Sequence, residues 1–174
     1  MRAHALEWLA AQDRVLCRRF NRVSHIGWLR FLFATVSRLG DGIFWYALMA
    51  ALLVFGGTRA IPAVAHMIVV GLICTALYKS IKARTSRPRP YAAQPEITLC
   101  ASPLDQFSFP SGHTLHAAGF SLVALAYYPA LFWLLLPFAM LVALSRIVLG
   151  LHYPSDVIAG AVIGAGVAGI SIWI

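Results

Sequence analysis

The sequence predicts an all-α fold: a polytopic transmembrane helix bundle of five spans, six at most, with an N-terminal amphipathic helix lying in the membrane interface. Three observations lead there. Of 174 residues, 60% are apolar and 11% charged, with a mean hydropathy of +0.78; a soluble domain holds roughly 45–50% apolar and about 25% charged residues. The apolar residues fall into runs joined by short breaks, and the length has room for five or six runs at about 20 residues per span. The few polar residues gather at the ends of the runs. This composition excludes a soluble globular domain and a disordered chain, and it suits one membrane-embedded domain over residues 1–174.

Residues 1–39 stand apart as a basic interfacial segment. Leu6, Leu9, Leu16 and Phe20 alternate with Arg14, Arg18, Arg19 and Arg22 at roughly helical spacing, the pattern of a helix lying in the interface. Glu7, Asp13 and the arginines break any apolar core of a secretory leader. Residues 26–36 are apolar but short and interrupted by Arg30; they read as more interfacial helix, with a sixth, poor span as the alternative. Gly40-Asp41-Gly42 reads as a break. A span over 43–55 follows, closed by Gly56-Gly57, and a second over 61–81 carries no charge before Lys79.

Residues 82–112, with five prolines, form the long loop. Spans over 114–128 and 130–149 meet at Pro129, and a last span covers 157–174. That last one holds Gly160, Gly164, Gly166 and Gly169. Small residues let membrane helices approach closely, so the Gly160–Gly164 step is expected to pack inside the bundle rather than form a dimer face. The oligomeric state is left open.

The net charge of +8, from 14 Lys+Arg against 6 Asp+Glu, fits basic residues meeting anionic headgroups. Nucleic acid is not expected as a partner, because there is too little polar chain for a basic, water-facing surface. Cys17, Cys74 and Cys100 form neither a CxxC pair nor a metal-ligand cluster with histidine.

Charged residues cost about 2.5–3.5 kcal/mol each at a span centre, so those that persist line sites or sit at ends. Three clusters do so: Lys82 to Pro90 (Lys-Ala-Arg-Thr-Ser-Arg-Pro-Arg-Pro), Pro110-Ser111-Gly112-His113, and Ser145-Arg146-x5-His152-x3-Asp156. The first two share one loop, and two crossings separate them from the third. All three therefore occupy one membrane face. Lys82, Arg89 and Arg146 offer fixed cations and bidentate donors to an oxyanion. Ser111 and Gly112 open a helix whose free N–H groups favour an anion. Asp156, four residues after His152, can accept from one ring nitrogen and leave the other as nucleophile, while His113 is placed to protonate a leaving oxygen. Together these residues suit phosphoryl transfer through a phosphohistidine, with protein cations in place of a metal or other cofactor.

These clusters resemble the tripartite pattern of the type 2 phosphatidic acid phosphatase family: Lys-x6-Arg-Pro at Lys82 and Arg89-Pro90, Pro-Ser-Gly-His at 110–113, and Ser-Arg-x5-His-x3-Asp from Ser145 to Asp156. Arg87-Pro88 is a second Arg-Pro beside the first motif. The resemblance covers residues 82–156. It implies metal-independent hydrolysis of a lipid phosphate, with His152 as nucleophile, Asp156 as its partner and His113 as acid and base. It also implies that Lys82, Arg89, Ser111, Gly112 and Arg146 bind phosphate. Vanadium-dependent haloperoxidases share the motif, but an apolar polytopic chain suits lipid substrates.

Transfer of the phosphate to a second lipid stays open, as does a non-catalytic lipid-phosphate carrier, against which the His152–Asp156 pairing argues. Undecaprenyl pyrophosphate, phosphatidylglycerophosphate, phosphatidic acid and a lipid A phosphate are all candidate substrates. The small size suggests a bacterial inner membrane. Orientation divides the signals: with five spans, every Lys and Arg but Arg59 lies on the site's face, which by the positive-inside rule is cytoplasmic. The resemblance implies a periplasmic site, and the cations committed to phosphate weigh toward that face.

Overall fold

A computed structural model describes residues 2–174; the side chain of Leu6, one of the expected apolar stripe, lies outside the described residues. Eight helices follow one another: α1 (Arg2–Asn21), α2 (Gly27–Arg38), α3 (Phe44–Gly56), α4 (Ile61–Thr85), the single turn α5 (Pro90–Ala93), α6 (Gly112–Tyr127), α7 (Phe132–Val148) and α8 (Pro154–Trp173). The described residues contain no strand, only an isolated bridge between Pro88 and Phe107. Three stretches are long and apolar enough to cross a membrane: Gly27–Thr85, Pro129–Val148 and Pro154–Trp173.

The first stretch, 59 residues, is too long for one crossing, and two glycines shape it. At Gly57 (φ 57) the chain turns sharply between α3 and α4. At Gly40-Asp41-Gly42 the expected break is a kink: Gly42, at φ 136 and ψ −29, leaves helical geometry inside the π turn Leu39–Ile43 that joins α2 to α3. On both sides of the kink the chain runs antiparallel to α7. Arg146 donates to Ser37, a Cβ on Gly40 would touch Val142 at 3.1 Å, and Phe44 stacks on Phe138 at 3.8 Å between ring centroids. The span expected over 43–55 is thus the far half of a bent rod. Single π turns commonly mark functional sites, and this one faces Asp41 toward His113.

Trp45, Met67, Val70, Cys74, Leu115, Leu135 and Val142 form the main buried cluster between α3, α4, α6 and α7. Large apolar side chains also face outward, among them Phe55, Leu72, Trp133, Met140, Val162 and Ile170. A buried core inside an apolar exterior is what a bilayer requires of a bundle. Helix α8 lies against α6 through Gly160 and Gly164, where an added Cβ would strike the backbone of Ser111 and Leu115; at Gly166 and Gly169 it would meet nothing within 4 Å. The Gly160–Gly164 step is an internal contact.

Helix α1 differs most from expectation. Its inward face is Asp13, Cys17 and Asn21, at four-residue spacing and all buried, rather than the apolar stripe. Asn21 donates from Nδ2 to the carbonyls of Thr98 and Val148, both at 2.9 Å, and accepts from the Thr98 N–H at 2.9 Å. Leu9 and Phe20 stay exposed, as does Trp8. Leu9 and Phe20 face outward while Asn21 reaches the Val148 carbonyl at the end of α7, which a leucine could not satisfy. Asn21 and Asp41 both lie at the end of the bundle that carries Lys82, Arg146 and His152.

Candidate active site

Each cation is placed by the end of an element. Lys82 lies in the last turn of α4 and donates to both oxygens of Asp105 (2.8 and 2.7 Å) and to the Phe107 carbonyl (2.9 Å). Arg89, 1% exposed, precedes the first residue of α5 and commits four of the five N–H donors of a guanidinium. Its Nε donates to the Asp105 carbonyl at 2.8 Å, one terminal nitrogen to the Asp105 carboxylate at 2.8 Å, and the other to the Leu151 carbonyl at 2.9 Å and to His152 Nε2 at 3.2 Å. Arg146 sits in the last turn of α7, where a cation suits the helix dipole. It donates to Ser37, and its buried Nε has no partner among the described residues. Burial would raise the Asp105 carboxyl, but Lys82 and Arg89 outweigh it and hold it below the ordinary carboxylate range.

His152 is delivered by a tight turn folded back on α7. The N–H groups of Leu151 and His152 both donate to the Arg146 carbonyl at 3.0 Å, and Gly150 adopts φ 73. A Cβ there would be 2.7 Å from Ile97 and strained by that φ as well. Because Arg89 donates to Nε2, that nitrogen presents a lone pair and the proton lies on Nδ1, which faces Asp156 Oδ2 at 3.7 Å. That separation exceeds a hydrogen bond: Asp156 faces the ring electrostatically while Arg89 selects the tautomer. Burial, with Arg146, Arg89 and Lys82 around it, holds the imidazole well below its ordinary pKa and hence neutral.

At the start of α6, Ser111 donates its N–H to the Asp156 carbonyl at 3.0 Å, tying the Pro-Ser-Gly-His turn to α8. Its hydroxyl is 3.0 Å from that of Thr114. Gly112 lies against Tyr78, 3.5 Å from an added Cβ. His113 bonds through Nε2 to the Asp41 carboxylate, which requires a proton on that nitrogen.

A cavity of about 630 Å³ brings together Lys82, Arg89, Arg146, Gly112, His113 and His152, six of the eight expected site residues. Ser111 and Asp156 sit behind its wall, fully buried. From the polar floor the cavity runs between α3 and α4 along Trp45, Met49, Ile68 and Leu72. Its chemistry is that of an oxyanion pocket: three buried cations, an uncharged nucleophilic nitrogen, a second histidine bearing a proton, and an apolar exit. Sequence reasoning missed Asp41, Asp105 and Ser37. Asp41 was legible as a carboxylate at the edge of an apolar run; Asp105 and Ser37 carry no motif and acquire partners only on folding.

The model of the PAP2 superfamily matches residues 59–174. The chain is 31% identical over 153 residues to an undecaprenyl-diphosphatase of Sulfolobus acidocaldarius, covering 87% of this chain and 73% of that one. It is 34% identical over 119 residues to undecaprenyl-diphosphatase BcrC of Bacillus subtilis, covering 68% of this chain and 61% of that relative. Among solved structures it is similar to Aquifex aeolicus LpxE, with a TM-score of 0.79, 30% identity and coverage of 91% and 93%. The fold is also shared with a PAP2-type phosphatidylglycerolphosphate phosphatase from Bacillus subtilis, at a TM-score of 0.76, 23% identity and coverage of 93% and 83%.

Proposed function

The chain belongs to the PAP2 superfamily, and from that premise we propose how this membrane lipid phosphatase works. His152 Nε2 releases the Arg89 hydrogen bond and attacks phosphorus as the bond to the lipid-side oxygen breaks. His113, as the imidazolium paired with Asp41, gives that oxygen a ring proton and is left neutral. Water, losing a proton back to His113, then attacks the phosphohistidine, releasing inorganic phosphate and restoring the imidazole. Lys82, Arg89, Arg146 and the N–H groups opening α6 hold the transferring oxygens, and Asp156 faces the positive charge that develops on the phosphorylated ring. The single observation carrying this reading is His152 Nε2, kept unprotonated as the acceptor of an Arg89 N–H in a residue that lines a pocket of three cations. His152→Ala is expected to abolish both phosphate release and an acid-labile phosphoenzyme; full turnover in that variant refutes the mechanism.

The apolar wall between α3 and α4 suits an acyl or prenyl tail, and the names of the two diphosphatase relatives make undecaprenyl diphosphate the first substrate to assay. Phosphatidylglycerophosphate, phosphatidic acid and a lipid A phosphate complete the panel. We assign five crossings, to α3, α4, α6, α7 and α8, within one domain over 1–174. Helix α1 would rest in the interface at the site end, supported by its exposed Trp8, Leu9, Phe20, Arg14, Arg18 and Arg19. The proposed setting is a bacterial inner membrane with the site on its periplasmic face, against the count of basic residues. Cys100, partly exposed at the site end while Cys17 and Cys74 are buried, separates the two orientations. A membrane-impermeant maleimide should label it in intact cells, and labelling only after lysis places the site in the cytoplasm.

A further inference from the structure

The second Arg-Pro, Arg87-Pro88, has no part in the phosphate pocket: Arg87 does not line the cavity. Its guanidinium instead joins two buried carboxylates from opposite ends of the sequence. One terminal nitrogen donates to Asp156 Oδ1 at 2.6 Å and to Ser155 Oγ at 2.8 Å, and the other to Asp13 Oδ2 at 2.8 Å. The Tyr153 ring lies 4.2 Å below the guanidinium carbon. Asp13, 3% exposed on α1, also accepts from the Ser155 N–H at 3.0 Å and from the Ser155 hydroxyl, capping α8.

Asp156 has no exposure to solvent. Its Oδ2 accepts from the Tyr153 N–H at 2.8 Å and faces His152 Nδ1, so Arg87 is its one cationic partner among the described residues. A buried carboxylate without such a partner takes up a proton, and a neutral Asp156 could not offset charge on the phosphorylated ring. Asp13 in turn fixes Arg87 on the outer side of Asp156, away from the three phosphate cations. The path Asp13–Arg87–Asp156–His152 runs from the N-terminal helix, which lies outside residues 59–174 matched by the family model, to the nucleophile.

We propose that Arg87, anchored by Asp13 of α1, is a positioning residue for phosphoryl transfer that holds the Asp156 carboxylate against His152, making α1 part of the active site. The inference rests on His152 being the nucleophile. Its test measures kcat and KM of the purified full-length chain in detergent with a soluble short-chain lipid phosphate, together with quenched phosphoenzyme and thermal unfolding. The variants are Arg87→Gln, Arg87→Lys, Asp13→Asn and Asp156→Asn, the double variant Arg87→Gln/Asp156→Asn, and His152→Ala as control.

Arg87→Gln is expected to lower kcat roughly ten- to a hundredfold, the range for outer partners of a functional histidine, with KM within about twofold of wild type because Arg87 does not touch phosphate. Arg87→Lys should recover part of the loss, and Asp13→Asn should lower kcat by about fivefold or more. The double variant should be no slower than Asp156→Asn, since both act through one carboxylate. An unchanged kcat in Arg87→Gln, a raised KM with kcat intact, or full additivity in the double variant overturns the proposal. Should Arg87→Gln not fold, Asp13→Asn, which replaces a carboxylate by an amide of equal size, decides alone by the same kcat criterion. Activity in His152→Ala would instead overturn the phosphohistidine reading, so the two failures are distinct.

Discussion

Replacing Gly160 with alanine tests whether helix packing sets the distance between the two halves of the site. A Cβ there would lie 2.5 Å from the Ser111 carbonyl oxygen, where ordinary contact begins at 3.4 Å and 3.0 Å is already tight. The helices must therefore part by about 0.5–0.9 Å. The obstruction is backbone, which cannot swing aside as a side chain can. Overpacking of this kind costs about 1–3 kcal/mol of stability.

The functional cost is separate. Ser111 opens α6 and carries Gly112 and His113 with it, whereas Asp156 travels with α8. His152, two residues before α8, is tied to the end of α7. The shift pulls the acid and the anion-binding N–H groups away from the nucleophile, and a misplacement near 1 Å costs on the order of 10²-fold. Phosphate release from a micellar lipid phosphate should thus fall roughly ten- to a hundredfold in kcat/KM. Gly166→Ala, where a Cβ meets nothing within 4 Å, is the matched control and should keep wild-type turnover. Wild-type kcat/KM in Gly160→Ala, or equal damage in Gly166→Ala, would refute the argument.

Further outcomes follow from the electrostatics. Burial and the neighbouring cations depress the His152 pKa, so turnover should persist below pH 6.5, and Arg89→Gln should move the acid limb of the kcat profile upward; an unmoved limb counts against the assignment. The same depression sets a stability trend. Below the ordinary histidine value of about 6.5 the unfolded chain binds a proton that the folded chain refuses, so stability is full above that pH and declines as pH falls toward the folded value; melting at pH 8 and pH 5 measures it. Asp105→Asn removes the carboxylate shared by Lys82 and Arg89. Because that carboxylate is 37% exposed, the loss should be only about 1–2 kcal/mol. Inorganic phosphate should then raise the melting temperature more in this variant than in wild type, and an equal rise would show that Asp105 is not standing in for the ligand's charge.

Sequence periodicity and motif spacing reached the helical class, the internal Gly160–Gly164 contact and the common face of three polar clusters, because each depends on residues near in sequence or on counting crossings. Arg14, Arg18 and Arg19 were legible as an outward basic face, since charge stays outside wherever a helix docks. The inward face of α1 was not. Asp13, Cys17 and Asn21 look like polar interruptions in one dimension, and only Arg87, Ser155, Thr98 and the Val148 carbonyl make burial affordable for two of them.

The break expected at Gly40-Asp41-Gly42 was legible, because glycine marks where the backbone can leave helical geometry, as Gly42 does. That the chain stays against α7 on both sides of the kink was decided by packing on Val142 and Phe138. By itself, then, the amino-acid order determined a membrane bundle with a group of cations and two histidines at one end. The tertiary structure alone decided the counter-charges: which carboxylate faces which cation, Asp105 with Lys82 and Arg89, Asp41 with His113, Asp13 and Asp156 with Arg87. The reason is physical. Motif residues answer to the substrate, whose geometry is constant, whereas their partners need only arrive within about 3 Å, and any loop or helix that folds nearby can bring them.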